Sequence, residues 1–230
     1  TPWALDQLTH RLGRRPNGIT MLPCPTDIDR PLPPQASVEQ GRGDFISVFH
    51  LQNHRRKNLK NLAKAFASIQ APTAEHSLTV IGGGDDQDVA ACSKLIAGID
   101  GASLAGRMDR EPLRERMQRA TALVLPSLRE SFGLVFIEAL FAGLPIIYPR
   151  GTAIDGYFDE YGFALAVDAR DPHSIAAAME TAARSEHRLK EELGRWQTSE
   201  HASGFQRPMI ARDFADGLRA CLASDQTASG

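Results

Sequence analysis

The chain has 230 residues, a formal net charge of −2, 42% hydrophobic and 23% charged residues. That length suits one large domain, or one domain with a short appendage, and its core needs no metal or disulfide staple. The charge gives no overall basic field for nucleic acid, and Cys24, Cys92 and Cys221 are too few and too far apart for a disulfide framework or a zinc site, so a reducing cytosol is expected.

Thr1 to Arg15 carries charges throughout and does not read as a signal peptide. The most apolar stretch, Phe132 to Tyr148, is short for a bilayer and is interrupted by Glu138 and Pro145. The expected chain is therefore soluble and cytoplasmic, with room for work at the cytoplasmic face of an inner membrane.

Residues 1–40 read as a connector. Arg14-Arg15-Pro16-Asn17-Gly18 is turn-like, Ile19 to Leu22 is a short apolar run, and Pro23, Pro25, Pro31, Pro33 and Pro34 keep the rest irregular. From residue 41 the pattern becomes regular. Strands are expected at Phe45–Phe49, Leu78–Ile81, Ala102–Ala105, Leu123–Leu125, Leu144–Tyr148 and Phe163–Val167. Helices are expected from Leu59 through Ile69, over Val89–Ile96, from Pro112, over Gly133–Phe141, over Ser174–Arg184 and through Ile210, Phe214 and Leu218, with Asp225–Gly230 frayed. Strands alternating with helices predict an α/β fold: a Rossmann-like parallel sheet with helices on both faces.

Such sheets bind ligands at the carboxyl ends of their strands. Three loops there stand out. In Pro126 to Ala139 a strand ends, turns and opens a helix near Gly133; Ser131 can cap that helix, and Gly133 lets a ligand come close to the backbone. Free N–H groups at a helix start attract phosphate. Glu130 precedes the helix and Glu138 lies inside it; at ~1.5 Å per residue the helical part separates them by roughly 7 Å. A diphosphate at the helix start would lie between two carboxylates, one able to hold sugar hydroxyls and the other ribose hydroxyls. Two glutamates eight apart are common by chance, and both could be plain surface residues. Glu138, however, sits in a helix apolar nearly all round, so burial with a partner is expected.

In the second loop Arg55, Arg56 and Lys57 precede a helix start, unfavourable unless an anion occupies the site. A solvated basic loop is the alternative. The third, Gly82-Gly83-Gly84-Asp85, lacks the further glycine of a dinucleotide fingerprint, since position 87 is Gln87, and reads equally as a tight turn. His10, His76, His173, His187 and His201 show no metal spacing and read as surface or capping residues. Arg107, Arg110, Arg114, Arg116 and Arg119, with Glu111 and Glu115 between them, read as a solvated basic face.

The run Pro126-Ser127, Glu130-Ser131-Phe132-Gly133-Leu134, Glu138-Ala139 and Gly143-Leu144-Pro145-Ile146 resembles the signature of retaining GT-B glycosyltransferases of family 4, the glycosyl transferases group 1. Its core is a Glu, seven residues, then a Glu. Weaker resemblance runs from Ile19 to the C-terminus.

The resemblance implies a nucleoside-diphosphate sugar as donor substrate, no cofactor and no metal. It makes Glu130 the residue that orients the sugar and Glu138 the ribose ligand, with Ser131, Phe132, Gly133 and Leu134 around the donor. Lys57 matches the family's phosphate-binding lysine, and His50 stands where the family has an arginine, so Arg55 or Arg56 can substitute. Gly83 and Gly84 match a glycine turn beside the donor, and Arg107 and Met108 the nucleobase contact. The loop Gly151 to Gly156 matches a donor-facing loop but carries Ile154-Asp155 in place of a Pro-Glu pair. A whole GT-B enzyme has two Rossmann-like domains. Residues 1–40 then read as linker and remnant of a missing N-terminal domain, 41–230 as the donor domain, and the acceptor as a glycan or lipid-linked sugar in surface polysaccharide synthesis. The isolated domain should be nearly inactive, with the helix from Phe205 to Leu222 facing the missing half. A sugar-nucleotide epimerase of the same fold and a non-catalytic binding module are the alternatives.

Overall fold

The computed structural model describes residues 1–17, 19–24, 26, 30–36, 43–69, 76–152 and 154–228, with side chains described up to residue 222. Gly18 and Pro25 of the expected connector, Ala153 of the expected donor-facing loop and the last two residues of the expected frayed tail lie outside them.

The helix α1, Pro2–Leu12, occupies what reads as connector. Its ends follow ordinary capping chemistry: the Thr1 hydroxyl accepts from the Ala4 N–H at 3.2 Å, Pro2 sits in the first turn, and Gly13 closes the helix at φ 65°. The regular domain follows in the order β1 (Asp44–Val48), α2 (Leu59–Ser68), β2 (Ser77–Ile81), α3 (Asp86–Ile96), β3 (Ala102–Gly106), α4 (Arg110–Arg119), β4 (Ala122–Val124), α5 (Leu134–Phe141), β5 (Ile146–Pro149), β6 (Ala164–Val167), α6 (Pro172–Trp196), α7 (Glu200–Ser203) and α8 (Arg207–Ala228).

All six strands are parallel, in the order β3-β2-β1-β4-β5-β6. Four strands, β1, β2, β4 and β5, carry the apolar runs expected of a covered sheet: Phe45, Ile46, Leu78, Val80, Leu123, Ile146 and Ile147 are fully buried, while β6 at one edge is buried only at Val167. The edge strand β3 departs further, with Ser103 and Ala105 exposed, because among the described residues nothing pairs beyond it. On one face α2 packs between α3 and α6, burying Leu59, Leu62, Ala63 and Phe66; on the other α4 packs against α5.

α6 outruns its expected end at Arg184 by twelve residues, to Trp196. The apolar periodicity breaks there because two inward positions are charged. Glu186 and Lys190, one turn apart, form a buried ion pair at 2.8 Å, and the Thr121 hydroxyl donates to Glu186 at 3.0 Å. Burial lowers the Lys190 pKa, against the pull of Glu186. α4 is likewise less solvated than its sequence implies: Arg116 forks onto both Asp44 oxygens at 2.7 Å, and Arg114 donates to the Arg30 carbonyl at 2.8 Å.

Residues 30–36 lie along the amino ends of the strands as a strap held by its own carbonyls. Gln197 donates to Leu32 O at 3.0 Å, Gln118 to Pro33 O at 2.7 Å and Lys190 to Gln35 O, while the Leu32 N–H reaches Phe141 O at 2.8 Å. Gly143 has φ 77°, and a Cβ there would stand 2.7 Å from Pro34 Cα.

Two histidines are packed rather than surface residues, His76 buried and His201 half-buried. His76 is 8% exposed and its Nδ1 accepts from the Gly43 N–H at 2.9 Å. His201 stacks on Tyr161 and also meets Phe158, Trp196 and Phe205, and its Nδ1 accepts from the Trp196 indole at 3.3 Å. Burial lowers the pKa of both. α8 runs to Ala228, into the tail expected to fray, and keeps Phe214, Leu218 and Leu222 on its exposed side. No helix of the described residues is long and apolar enough to cross a membrane.

Candidate functional site

Strand order reverses between β1 and β4, which are neighbours in the sheet but not in the sequence. Chains leaving these two strands diverge, so a crevice opens at their carboxyl ends. The loop after β1 carries His50 to Asn58, and the loop after β4 carries Pro126 to Gly133. The predicted site residues fall on the carboxyl ends of four adjacent strands, β3, β2, β1 and β4.

The two loops meet. The Leu128 N–H donates to Arg56 O at 2.8 Å, and the Lys57 ammonium donates to Glu130 Oε2. This pair is largely withdrawn from water, the Lys57 and Glu130 side chains being 11% and 8% exposed. The buried Ser127 hydroxyl also donates to Glu130 Oε2, at 3.3 Å. Lys57 thus stands apart from the other basic candidates: His50, Arg55 and Arg56 are exposed at the rim.

α5 begins at Leu134, and its N-cap is Gly133 at φ 85° rather than Ser131. Ser131 is exposed and no side chain caps this helix, so the expected cap is not made. Gly133 is needed twice over. Its φ is in the left-handed region, and a Cβ there would stand 2.6 Å from the Phe136 ring and 3.3 Å from Glu130 Cγ. The helix start therefore sits against Glu130, with no side chain capping it, where the dipole favours an anion. Phe132 is buried, edge-on to Tyr157 at 6.2 Å.

Glu138 is exposed, contrary to the buried position its helix implied. Phe136, Ile137, Ala139, Leu140 and Phe141 are buried, and α5 turns only a narrow line, Leu134 and Glu138, to solvent. An apolar helix can carry a carboxylate on such a line without a buried partner. The protein around that line still desolvates Glu138 and raises its pKa, while Arg110 of α4 pulls it down.

The glycine turn has a packing role. A Cβ on Gly82 would stand 1.8 Å from Phe49 O, and one on Gly84 2.9 Å from Leu51 Cβ. Gly83 is looser: its nearest neighbour would be Arg107 at 3.6 Å, and Gly83 O accepts from the Leu51 N–H at 2.8 Å. Asp85 caps α3 by accepting from the Asp88 N–H at 2.8 Å. Arg107 is exposed and Met108 half-buried beside the same strand ends. In the loop after β5, Ile154 is buried and Asp155 closes the loop on the Gly151 N–H at 2.6 Å. A groove of about 590 Å³ lies beyond it, along β6 and α6, and contains neither Lys57 nor Glu130. Among the described residues no three His, Cys, Asp or Glu are grouped to hold a metal ion.

Sequence reasoning gave no role to Asn58, to Ser127 within the signature run, or to the loop after β6. Asn58 has φ 61° and is 5% exposed; its amide donates to Pro126 O at 3.0 Å and to Ala169 O at 2.6 Å. An Asn before an apolar helical run signals a cap, but here the side chain makes no cap bond.

Residues 34–197 match the family model described as Glycosyl transferases group 1. The D-inositol 3-phosphate glycosyltransferase of Corynebacterium kroppenstedtii is 30% identical over 106 residues, 46% of this chain and 23% of that protein. Among solved structures, sucrose-phosphate synthase from Thermosynechococcus elongatus superposes with a TM-score of 0.68 at 22% identity, over 97% of this chain and 57% of that one. The pneumococcal O-GlcNAc transferase GtfA, solved with UDP and GlcNAc, gives 0.62 at 17% identity, over 96% and 44%. The chain thus spans about a quarter of that curated relative and about half of those solved chains.

Proposed function

Because the chain belongs to the group 1 glycosyl transferases, we propose that it binds a nucleoside-diphosphate sugar and forms the donor half of a GT-B enzyme. That enzyme transfers the sugar, a hexose, with retention to a glycan or lipid-linked acceptor in surface polysaccharide synthesis, at the cytoplasmic face of the membrane. The observation that carries this reading is the Lys57–Glu130 pair at the strand-order reversal, beside an uncapped helix start.

The chemical task is to stabilise a diphosphate as it leaves. Lys57 and the first amides of α5 place fixed positive potential there, in a region where little water competes. Glu130 holds the ammonium ready and then takes sugar hydroxyls as the ammonium turns to phosphate. Glu138, open on its line of α5, takes the ribose hydroxyls. Arg55, Arg56 and His50 at the rim add attraction for the anion.

The remainder of the enzyme supplies the acceptor site, in keeping with the partial span of the relatives. The uncovered line Phe214, Leu218 and Leu222 on α8 is the surface that faces it. This chain alone therefore binds donor and transfers little sugar.

Calorimetric titration with UDP, GDP and ADP tests the reading. One nucleotide should bind, with Lys57→Ala and Glu138→Ala each weakening it by about tenfold or more, the loss of one charged hydrogen bond. A folded chain that binds none, with the whole protein equally silent, would sink the proposal.

A further inference from the structure

Lys57 and Glu130 stand on different loops, and a lysine side chain has enough rotamer freedom that nearness of two loops does not align them. The residue that joins the loops is Asn58. We propose that Asn58 is a positioning residue of the donor site: its amide clamps the Lys57 loop to the Glu130 loop and so sets where a diphosphate is held. The inference rests on the donor-site reading above.

Both hydrogens of the Asn58 amide are committed, one to Pro126 O at 3.0 Å and one to Ala169 O at 2.6 Å. Pro126 is followed by Ser127, whose hydroxyl donates to Glu130, and Glu130 accepts from Lys57, the neighbour of Asn58. Lys57, Asn58, Pro126, Ser127 and Glu130 therefore form a closed circuit, with the ion pair as its last link. The bond from the Leu128 N–H to Arg56 O at 2.8 Å is a second rung across the same two loops. The Ala169 contact draws in the loop after β6, where Asn61 of α2 adds a bond to the same carbonyl at 3.2 Å.

Two features separate this from ordinary capping. Asn58 begins α2, yet its side chain makes no bond to that helix, which is the usual work of Asn there. Its φ of 61° would suit glycine at least as well. Glycine would satisfy the backbone and supply neither interloop bond, so the amide is what asparagine adds.

Asn58→Gly keeps the backbone conformation and deletes both bonds. Two measurements on the whole chain test the proposal. In the ligand-free protein, the Leu128 amide should exchange with solvent about tenfold faster in N58G, the effect of losing about one hydrogen bond's worth of protection, while the Ile46 amide in β1 keeps its rate. In calorimetry N58G should bind the preferred diphosphate among UDP, GDP and ADP about tenfold more weakly, and the matching monophosphate within about twofold of the parent. Unchanged Leu128 exchange overturns the clamp. Equal loss of monophosphate and diphosphate overturns its role in placing the diphosphate. A parent chain that binds no nucleotide, with the whole protein equally silent, overturns the donor-site reading and the diphosphate role with it, while the exchange rates still decide whether Asn58 clamps the loops.

Discussion

Gly82 and Gly83 are adjacent and chemically identical, yet a side chain would be received differently at each. A methyl on Gly82 would meet the Phe49 carbonyl oxygen at 1.8 Å, whereas one on Gly83 would make ordinary contact with Arg107. Gly82→Ala should therefore cost about 1–3 kcal/mol or more, the range for overpacking against an unyielding neighbour, and Gly83→Ala well under that. Urea midpoints would decide, and equal costs would contradict the packing role. The same scale shows where single residues were legible. Lys57 stood out because a cation at a helix start needs a reason, Glu130 because it opens the Glu-to-Glu run that resembles the family signature, and the structure joins them. Glu138 was misplaced because periodicity tells how apolar a helix is, not which narrow line of it faces a cleft. Asn58 was missed because its partners, Pro126 and Ala169, are distant in sequence and backbone carbonyls leave no trace in side-chain pattern.

At the scale of elements, the twelve-residue extension of α6 depends on a charged pair that apolar periodicity cannot register. Glu186→Ala leaves a buried ammonium without its ion-pair partner and should destabilise the protein by about 3–5 kcal/mol. Replacing Glu186 and Lys190 together by apolar residues of similar volume should cost far less, because neither charge then needs desolvating. Thermal unfolding of both variants checks this; a single variant no worse than the double one would refute it. α1 carries the opposite lesson. Thr1, Pro2 and Gly13 are readable cap signals, but reading residues 1–40 as connector and remnant leaves them unused. The strands were the easiest elements to read, since burial on both faces leaves unbroken apolar runs, and the edge strand β3 was the least typical for the same reason.

At the scale of the whole molecule, His76 and His201 tie stability to pH. Burial lowers both below the ordinary value of 6.5. The unfolded chain then binds more protons than the folded one as pH falls through 6.5, so stability is full above that value and declines as pH drops toward the lowered folded values. Each pH unit in that window costs up to about 1.4 kcal/mol per histidine. Protonating His201 at Nδ1 would also turn an acceptor into a donor facing the Trp196 indole. Urea midpoints should fall between pH 7.5 and pH 5.5, and His201→Phe should flatten part of the slope; a midpoint that does not move would show the histidines titrate freely. The architecture itself was legible because alternating strands and helices admit few arrangements. The strand order was not, since pairing depends on crossovers that local sequence does not encode.

The strap at residues 30–36 decides how short this protein can be made. The family match begins at residue 34 and stops at residue 197, but a chain trimmed to those limits would lose the carbonyls of Arg30, Leu32 and Pro33. Arg114 and Gln118 would then donate to water, and Gln197 would keep only its bond to Leu140 O at 2.7 Å. A cut a few residues later, beyond Gln35, would also strip the carbonyl that Lys190 reaches from the interior. The smallest cooperative unit is therefore larger than the span the family model matches, and its boundary is drawn by hydrogen bonds to a segment that has no regular secondary structure of its own.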